Sequence, residues 1–288
     1  MMNSLLSTFA VLGACALTSP LAAQVKLPKP QDRAPAKAED LASVKVMADH
    51  DGIAPGETIH LAISFDIAPK WHIYWKNPGS GGMPTMVTVD GPDDLVIGEA
   101  MFPRPIEFQD ADGMSFGYED GTTLFVPVTA PTEFTAETIV LQVNVDYLVC
   151  KQICLMGNHT ATVTLPVKRS GVRPIELPSK MQTARNQLPV SIEDTDRASA
   201  SLQRDVLTIR VASDGATTAT LFPDERPGVT FGEPRIRSEG DRTLVIEVPI
   251  TLQPQNALGE DLVIAGLVAV GDSLDQPSYA FDMPVDSR

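Results

Sequence analysis

Asp146-Tyr147-Leu148-Val149-Cys150-Lys151-Gln152-Ile153-Cys154-Leu155-Met156-Gly157-Asn158-His159 is the stretch on which the reading of this chain turns. Upstream, Ile139, Leu141, Val143, Val145 and Tyr147 alternate with Gln142, Asn144 and Asp146. Downstream, Ala161, Val163, Leu165 and Val167 alternate with Thr162 and Thr164. An apolar residue at every second position marks a strand with one face in a core and the other towards water. Two such runs put Cys150 and Cys154 in the connection between strands, where a sheet can hold a reactive pair near solvent.

The same alternation recurs outward in both directions. It is present at Val44 and Val46, at Leu61, Ile63, Phe65 and Ile67, from Met86 to Val89, and at Leu124, Val126 and Val128. It returns at Leu207, Ile209 and Val211, at Leu244, Ile246, Val248 and Ile250, and from Leu262 to Val270. With 24 prolines and 20 glycines punctuating these runs, the chain predicts an all-β architecture with many turns. The expected organisation is a signal peptide at 1–23, a flexible proline-rich tether at 24–42, a first β domain at 43–168, a linker with a short helix at 169–190, and a second β-sandwich at 191–288. Within the linker, Met181, Ala184 and Leu188 recur at helical spacing, with Ser179 placed to cap the helix and Pro189 to stop it. Phe102-Pro103-Arg104-Pro105 reads as an extended edge, because proline cannot donate to a ladder. Gln109 to Gly121 reads as a polar loop.

A net charge of −15 offers no basic stripe for phosphate, which excludes nucleic acid as a partner. Met1 to Ala23 carries no charged side chain, is apolar from Phe9 to Leu17 and ends in Pro20-Leu21-Ala22-Ala23, the pattern of an export signal. Leu12-Gly13-Ala14-Cys15 also resembles a lipoprotein cleavage box with Cys15 as the lipidated residue. Plain export is the preferred reading, since apolar sequence continues past Cys15. The best later apolar run, Leu262 to Val270, is nine residues, against the roughly 20 of a membrane span. In an oxidising compartment the remaining close cysteine pair is expected as a disulfide.

Three motifs then stand together: Trp71-His72-x-Tyr74-Trp75-x-Asn77-Pro78-Gly79, Phe116-Gly117-Tyr118, and Asp146-Tyr147-Leu148-Val149-Cys150-x-x-x-Cys154. They resemble the N-terminal periplasmic domain of the DsbD family of thiol:disulfide interchange proteins, in particular the branch linked with suppression of copper sensitivity. The likeness spans about Val44 to Val167 and is looser over the second β domain. It implies two immunoglobulin-like β-sandwich domains joined by a short helical linker, in the periplasm, with a redox-active disulfide and no other cofactor. It also implies a component of a protein-disulfide reductase, of the kind that serves cytochrome c biogenesis and copper tolerance. Such a component passes electrons between a membrane electron-transfer protein and thioredoxin-like periplasmic proteins. Full-length members continue into a membrane domain and a thioredoxin-like domain that this sequence lacks, so both partners are expected as separate chains. By the same resemblance Cys154 bonds to the partner, Cys150 resolves, and Met114, Phe116, Gly117 and Tyr118 form a cap loop with Phe116 over the disulfide. Trp71, Tyr74 and Trp75 are expected as core and site wall, since large aromatics mostly supply packing area. The cysteine spacing here is tighter than in the best-studied members.

Two other readings compete. Cys150, Cys154, Met156 and His159 lie within ten residues, and thiolates with a thioether suit Cu(I), so a copper-binding or copper-delivery protein is an alternative. A non-catalytic β-sandwich interaction module with a structural disulfide is another, and fold alone does not separate it from the first. A bridge closing so short a loop contributes only roughly 2 kcal/mol in the chain-entropy model. A purely structural bridge would do more by joining distant strands, which favours redox exchange.

Overall fold

The alternating runs become strands because each can bury one face only by stacking against another sheet. The computed structural model describes residues 37–110, 113–133, 136–253 and 262–285. The expected signal peptide, Cys15 and nearly all of the tether lie outside the described residues. Where the tether was expected to run on to 42, Ala38–Leu41 instead form a turn of helix, α1.

Among the described residues the N-terminal half holds ten strands: β1 (Ala42–Ala48), β2 (Thr58–Ile67), β3 (His72–Gly79), β4 (Met86–Asp90), β5 (Val96–Ile97), β6 (Ile106–Asp110), β7 (Gly113–Glu119), β8 (Gly121–Thr129), β9 (Thr138–Cys150) and β10 (Cys154–Pro166). One sheet has the order β1-β2-β8-β5; the other runs β10-β9-β3-β7-β6, with β4 also pairing along β9. Between them lie Leu61, Ile63 and Phe65 of β2, Leu124, Val126 and Val128 of β8, Ile73 and Trp75 of β3, and the alternating apolar face of β9 from Ile139 to Val149. Phe65 meets Tyr147 edge-on at 5.4 Å, and the Tyr147 hydroxyl donates to the Ala42 carbonyl at 2.7 Å. Burial raises the Tyr147 pKa to about 12, so the phenol keeps the proton it donates.

Gln109 to Gly121, expected as a loop, is mostly the β6–β7 hairpin. Phe116 and Tyr118 alternate into the core and outweigh the polar, glycine-containing composition that suggested a loop.

The C-terminal half holds β11 (Val190–Ser191), β12 (Ala198–Gln203), β13 (Val206–Ala212), β14 (Ala219–Pro223), β15 (Val229–Phe231), β16 (Arg235–Glu239), β17 (Thr243–Leu252), β18 (Val263–Val270) and β19 (Ser278–Pro284). Its sheets are β11-β19-β18-β14 and β12-β13-β17-β15, with β16 also on β17. Leu207, Ile209, Leu244, Ile246, Val248, Ile264 and Val268 fill the space between them. The molecule is therefore all-β, with immunoglobulin-like sandwich architecture.

The halves share a core. Phe222, Leu267 and Ala269 join the N-terminal cluster while alternate residues of β18 face their own, which is why β18 is apolar nearly throughout. Phe102 to Pro105, expected as an extended edge, pairs in no ladder and is buried in this seam. There the Arg104 guanidinium donates to the carbonyls of Val270, Gly271 and Gln276.

Helix α2 (Ser179–Asn186) lies on the outer face of the first sheet, where Leu177, Met181 and Ala184 pack on Ala62 and Phe125. Pro178, not Ser179, takes the N-cap position, with no side-chain cap bond. Arg185 of α2 pairs with buried Asp49 at 2.7 Å and lies over the Phe125 ring at 4.8 Å, pinning the helix to the sheet.

Candidate functional site

Cys150 closes β9 and Cys154 opens β10, with Lys151, Gln152 and Ile153 exposed at the hairpin tip. The register runs without a bulge from Cys154↔Cys150 to Pro166↔Thr138. Its phase is set at the far end, where the Val167 N–H donates to the Glu137 carbonyl at 2.8 Å. Counting back by twos, Leu155, Gly157 and His159 send their backbone groups towards β9, and Cys154, Met156 and Asn158 send theirs away. Cys150 and Cys154 are thus a non-hydrogen-bonded pair, the closer of the two cross-strand spacings, with Cα atoms 4.2 Å apart and the sulfurs bonded.

The two sulfurs sit in different surroundings. Cys150 is 1% exposed, whereas Cys154 is open to solvent. Ile153 (61% exposed) and Met156 (72%) add accessible apolar surface at the hairpin end.

On the other flank of Cys150 stands His72, its Cα partner across β9 and β3. Ile73 and Trp75 point into the core, so His72 and Tyr74 point to the opposite face, which also carries Cys150. There the His72 ring packs on Phe108 of β6 at 4.2 Å and on Tyr74 at 5.2 Å, with Nε2 3.4 Å from the Tyr74 hydroxyl oxygen. Gly117 of β7 lies between β3 and β6 and leaves room for these rings. A Cβ there would fall 2.0 Å from the Ile73 carbonyl oxygen, so the strands approach too closely for any larger residue. A row of Cys154, Cys150 and His72 results, walled by Tyr74 and Phe108.

The expected site residues divide between the two faces. Tyr74 stands on the disulfide face. Trp75 and Phe116 face the seam and meet Phe222 edge-on at 6.0 and 5.2 Å. Phe116 was expected over the disulfide; the structure places it in the shared core, because strand alternation turns Phe116 and Tyr118 inward together. The Tyr118 hydroxyl donates to the Pro103 carbonyl at 2.8 Å, and burial keeps the phenol protonated. Trp71 packs partly buried against the same core, and Met114 is exposed near the end of the β6–β7 hairpin.

The copper set is split as well. Cys150, Cys154 and Met156 share a face, but His159 lies on the other, in phase with Gly157, whose Cβ position is filled by the Tyr147 ring. Among the described residues no group of three or more His, Cys, Asp and Glu is arranged to hold a metal ion.

His72 and Phe108 were not among the expected site residues. His72 stands inside the Trp71–Trp75 motif, so a signal for it existed. Phe108 carries none, since its place beside His72 depends on the β6–β7–β3 pairing.

A β-sandwich presenting a disulfide at a hairpin tip, one sulfur buried and the other open, has the form of a thiol–disulfide interchange module. The comparisons agree. A family model described as "Thiol:disulfide interchange protein DsbD, N-terminal" matches residues 41–166, and the resemblance read from the sequence motifs is borne out over that stretch. Among solved structures, the N-terminal periplasmic domain of ScsB from Proteus mirabilis matches with a TM-score of 0.57 at 17% identity, over 90% of this chain and 96% of that one. The Neisseria meningitidis DsbD N-terminal domain in its reduced form matches with a TM-score of 0.30 at 15% identity, over 49% of this chain and 96% of that one. At 17% identity the likeness to the ScsB domain speaks to the fold alone. No curated protein matches the chain.

Proposed function

We propose that the chain relays electrons by thiol–disulfide interchange through Cys150 and Cys154 in the periplasm, between a membrane electron-transfer protein and thioredoxin-like thiol proteins. The observation that carries this reading is the unequal exposure of the two sulfurs. A donor thiolate attacks in line along the S–S bond, and only the Cys154 sulfur is open to approach. Attack there forms a donor–Cys154 mixed disulfide and expels Cys150 as a thiolate, which takes up a proton. The donor's second thiol then attacks its own bonded sulfur, leaving Cys150 and Cys154 reduced and the donor oxidised. In the second half of the cycle the Cys154 thiolate attacks a client disulfide, and Cys150 displaces the client's thiol.

Phe108, rather than Phe116, shields the buried sulfur on this reading. His72 beside it offers a proton-exchanging group at the leaving thiolate. Residues 43–168 carry the chemistry, and residues 191–288 hold the back of the redox sheet through Phe222 and the carbonyls that Arg104 binds.

Trapping tests the assignment. The Cys150→Ser variant should capture mixed disulfides from a periplasmic extract through Cys154, and Cys154→Ser should capture far fewer through the buried Cys150. Equal capture by both, or capture by neither, refutes the relay.

A further inference from the structure

Strand β10 is the outer strand of its sheet, thirteen residues long, and pairs with β9 alone among the described residues. Proteins ordinarily blunt such an edge with lysine, proline or a bulge, because its unpaired N–H and C=O groups can template another strand. From Cys154 to Leu165 this edge carries no charged residue, no proline and no register shift. The phase set at Val167 and Glu137 turns the backbone groups of Cys154, Met156, Asn158, Thr160, Thr162 and Thr164 outward. Pro166 is in the same phase, and its outward carbonyl accepts the Ile53 N–H at 3.0 Å, while the Lys168 N–H donates to the Ile53 carbonyl at 2.9 Å. The far end of the edge is thus closed by a short parallel bridge at Ile53↔Val167. Among the described residues no strand pairs with the end that begins at the exposed redox sulfur, and α1 and β1 come near β10 without pairing with it.

We infer that this open edge is a docking strand: an extended segment of the thiol partner, flanking its reactive cysteine, adds to the sheet alongside Cys154–Thr164. The inference rests on the interchange reading above and specifies how the partner is held. Main-chain pairing tolerates different sequences, as a relay with more than one partner requires. It also sets the partner's cysteine beside Cys154 at strand spacing. A second copy of this chain fits less well. Antiparallel pairing of two β10 strands about Asn158 or Thr160 sets each Cys154 against Thr162 or Pro166 and leaves the two redox sulfurs apart.

The test uses the full chain with Cys15→Ser and Cys150→Ser, so that Cys154 is the single thiol of the three cysteines. The probe is a short peptide alternating valine and threonine around one cysteine, supplied as its glutathione mixed disulfide. Glutathione disulfide is the comparator. The Cys154 thiolate attacks the peptide sulfur and glutathione leaves as thiolate, one S–S bond replacing another with no net oxidation. The expected result is a preference for peptide over glutathione of about tenfold, equivalent to about 1.4 kcal/mol. Amide hydrogen exchange at Met156, Asn158 and Thr160 should be fast in the free protein and slow when peptide, but not glutathione, is attached. Adding Asn158→Pro with Thr160→Pro should abolish the preference, while Asn158→Ala with Thr160→Ala should keep it.

Equal affinity for the two thiols overturns the docking strand. So do outward amides already protected in the free protein, or proline and alanine pairs that behave alike. If neither thiol exchanges with Cys154, the interchange reading falls and the docking strand with it.

Discussion

Truncating Phe222 to alanine tests whether the C-terminal half supports the redox sheet. Phe222 is 2% exposed and packs edge-on against both Trp75 and Phe116, one on each of the two central strands β3 and β7. Phe→Ala substitutions in cores cost about 3–5 kcal/mol, including the cavity left behind. Each lost edge-on aromatic pair is worth about 0.5–1.5 kcal/mol beyond area, which puts this site towards the upper half of that range. A loss of roughly 4 kcal/mol is a large share of the roughly 5–15 kcal/mol typical of a folded protein.

The assay is urea unfolding followed by tryptophan fluorescence and by far-ultraviolet circular dichroism. Both tryptophans, Trp71 and Trp75, belong to the N-terminal half, so fluorescence reads that half while dichroism reads both. With a urea slope of about 2–3 kcal/mol per molar, the midpoint should fall by roughly 1.3–2 M. The two probes should also separate as the halves uncouple. A loss below about 1 kcal/mol, the ordinary cost of an average substitution, with coincident transitions would refute a shared, energetically coupled core.

Two further outcomes follow from the site and its surroundings. Phe108→Ala should speed reduction of the Cys150–Cys154 disulfide by dithiothreitol several-fold, and Phe116→Ala should leave it unchanged; the reverse pattern would return the shielding role to Phe116. Asp49 is buried, and although burial favours its neutral form, hydrogen bonds from His60, His50 and Arg185 win and hold its carboxyl well below the usual range. Asp51, bonded by Lys168 and Arg173, is lowered to about 2. A carboxylate with a depressed folded-state pKa contributes stability above its unfolded value of about 3.9 and loses it as pH falls towards the folded value. Urea midpoints should therefore drop between about pH 4 and 2. Asp49→Asn should flatten that slope, and parallel pH profiles for the variant and the parent would count against the Asp49 cluster as its source.

Much of the fold was legible because strand alternation is a local property. The apolar positions of β2, β8 and β9 were readable one by one, and so was the placement of the cysteines between two strands. Less legible were stretches whose composition and burial disagree. Phe102 to Pro105 was read only as an extended edge, and its burial follows from Arg104 finding three carbonyls in the other half. Gln109 to Gly121 has the polarity of a loop, but Phe116 and Tyr118 alternate inward. The pairing of Cys150 with Cys154 was readable from their spacing between two strands. Phe116 and His159 were misplaced because nearness in sequence says nothing about which face of a strand a side chain takes. A one-residue change of phase moves a side chain through the sheet.

The amino-acid sequence by itself determined the all-β class and the short-loop cysteine pair, because these rest on residue type and local periodicity, and its motifs carried the family resemblance that points residues 41–166 to thiol–disulfide interchange. Only the tertiary structure decided which cysteine is exposed, which aromatics share its face of the sheet, and which edge strand lacks a partner among the described residues. Those depend on the register of β9 with β3 and β10 and on the seam with the C-terminal half. Both are set by contacts between residues far apart in the chain, where local pattern carries no information.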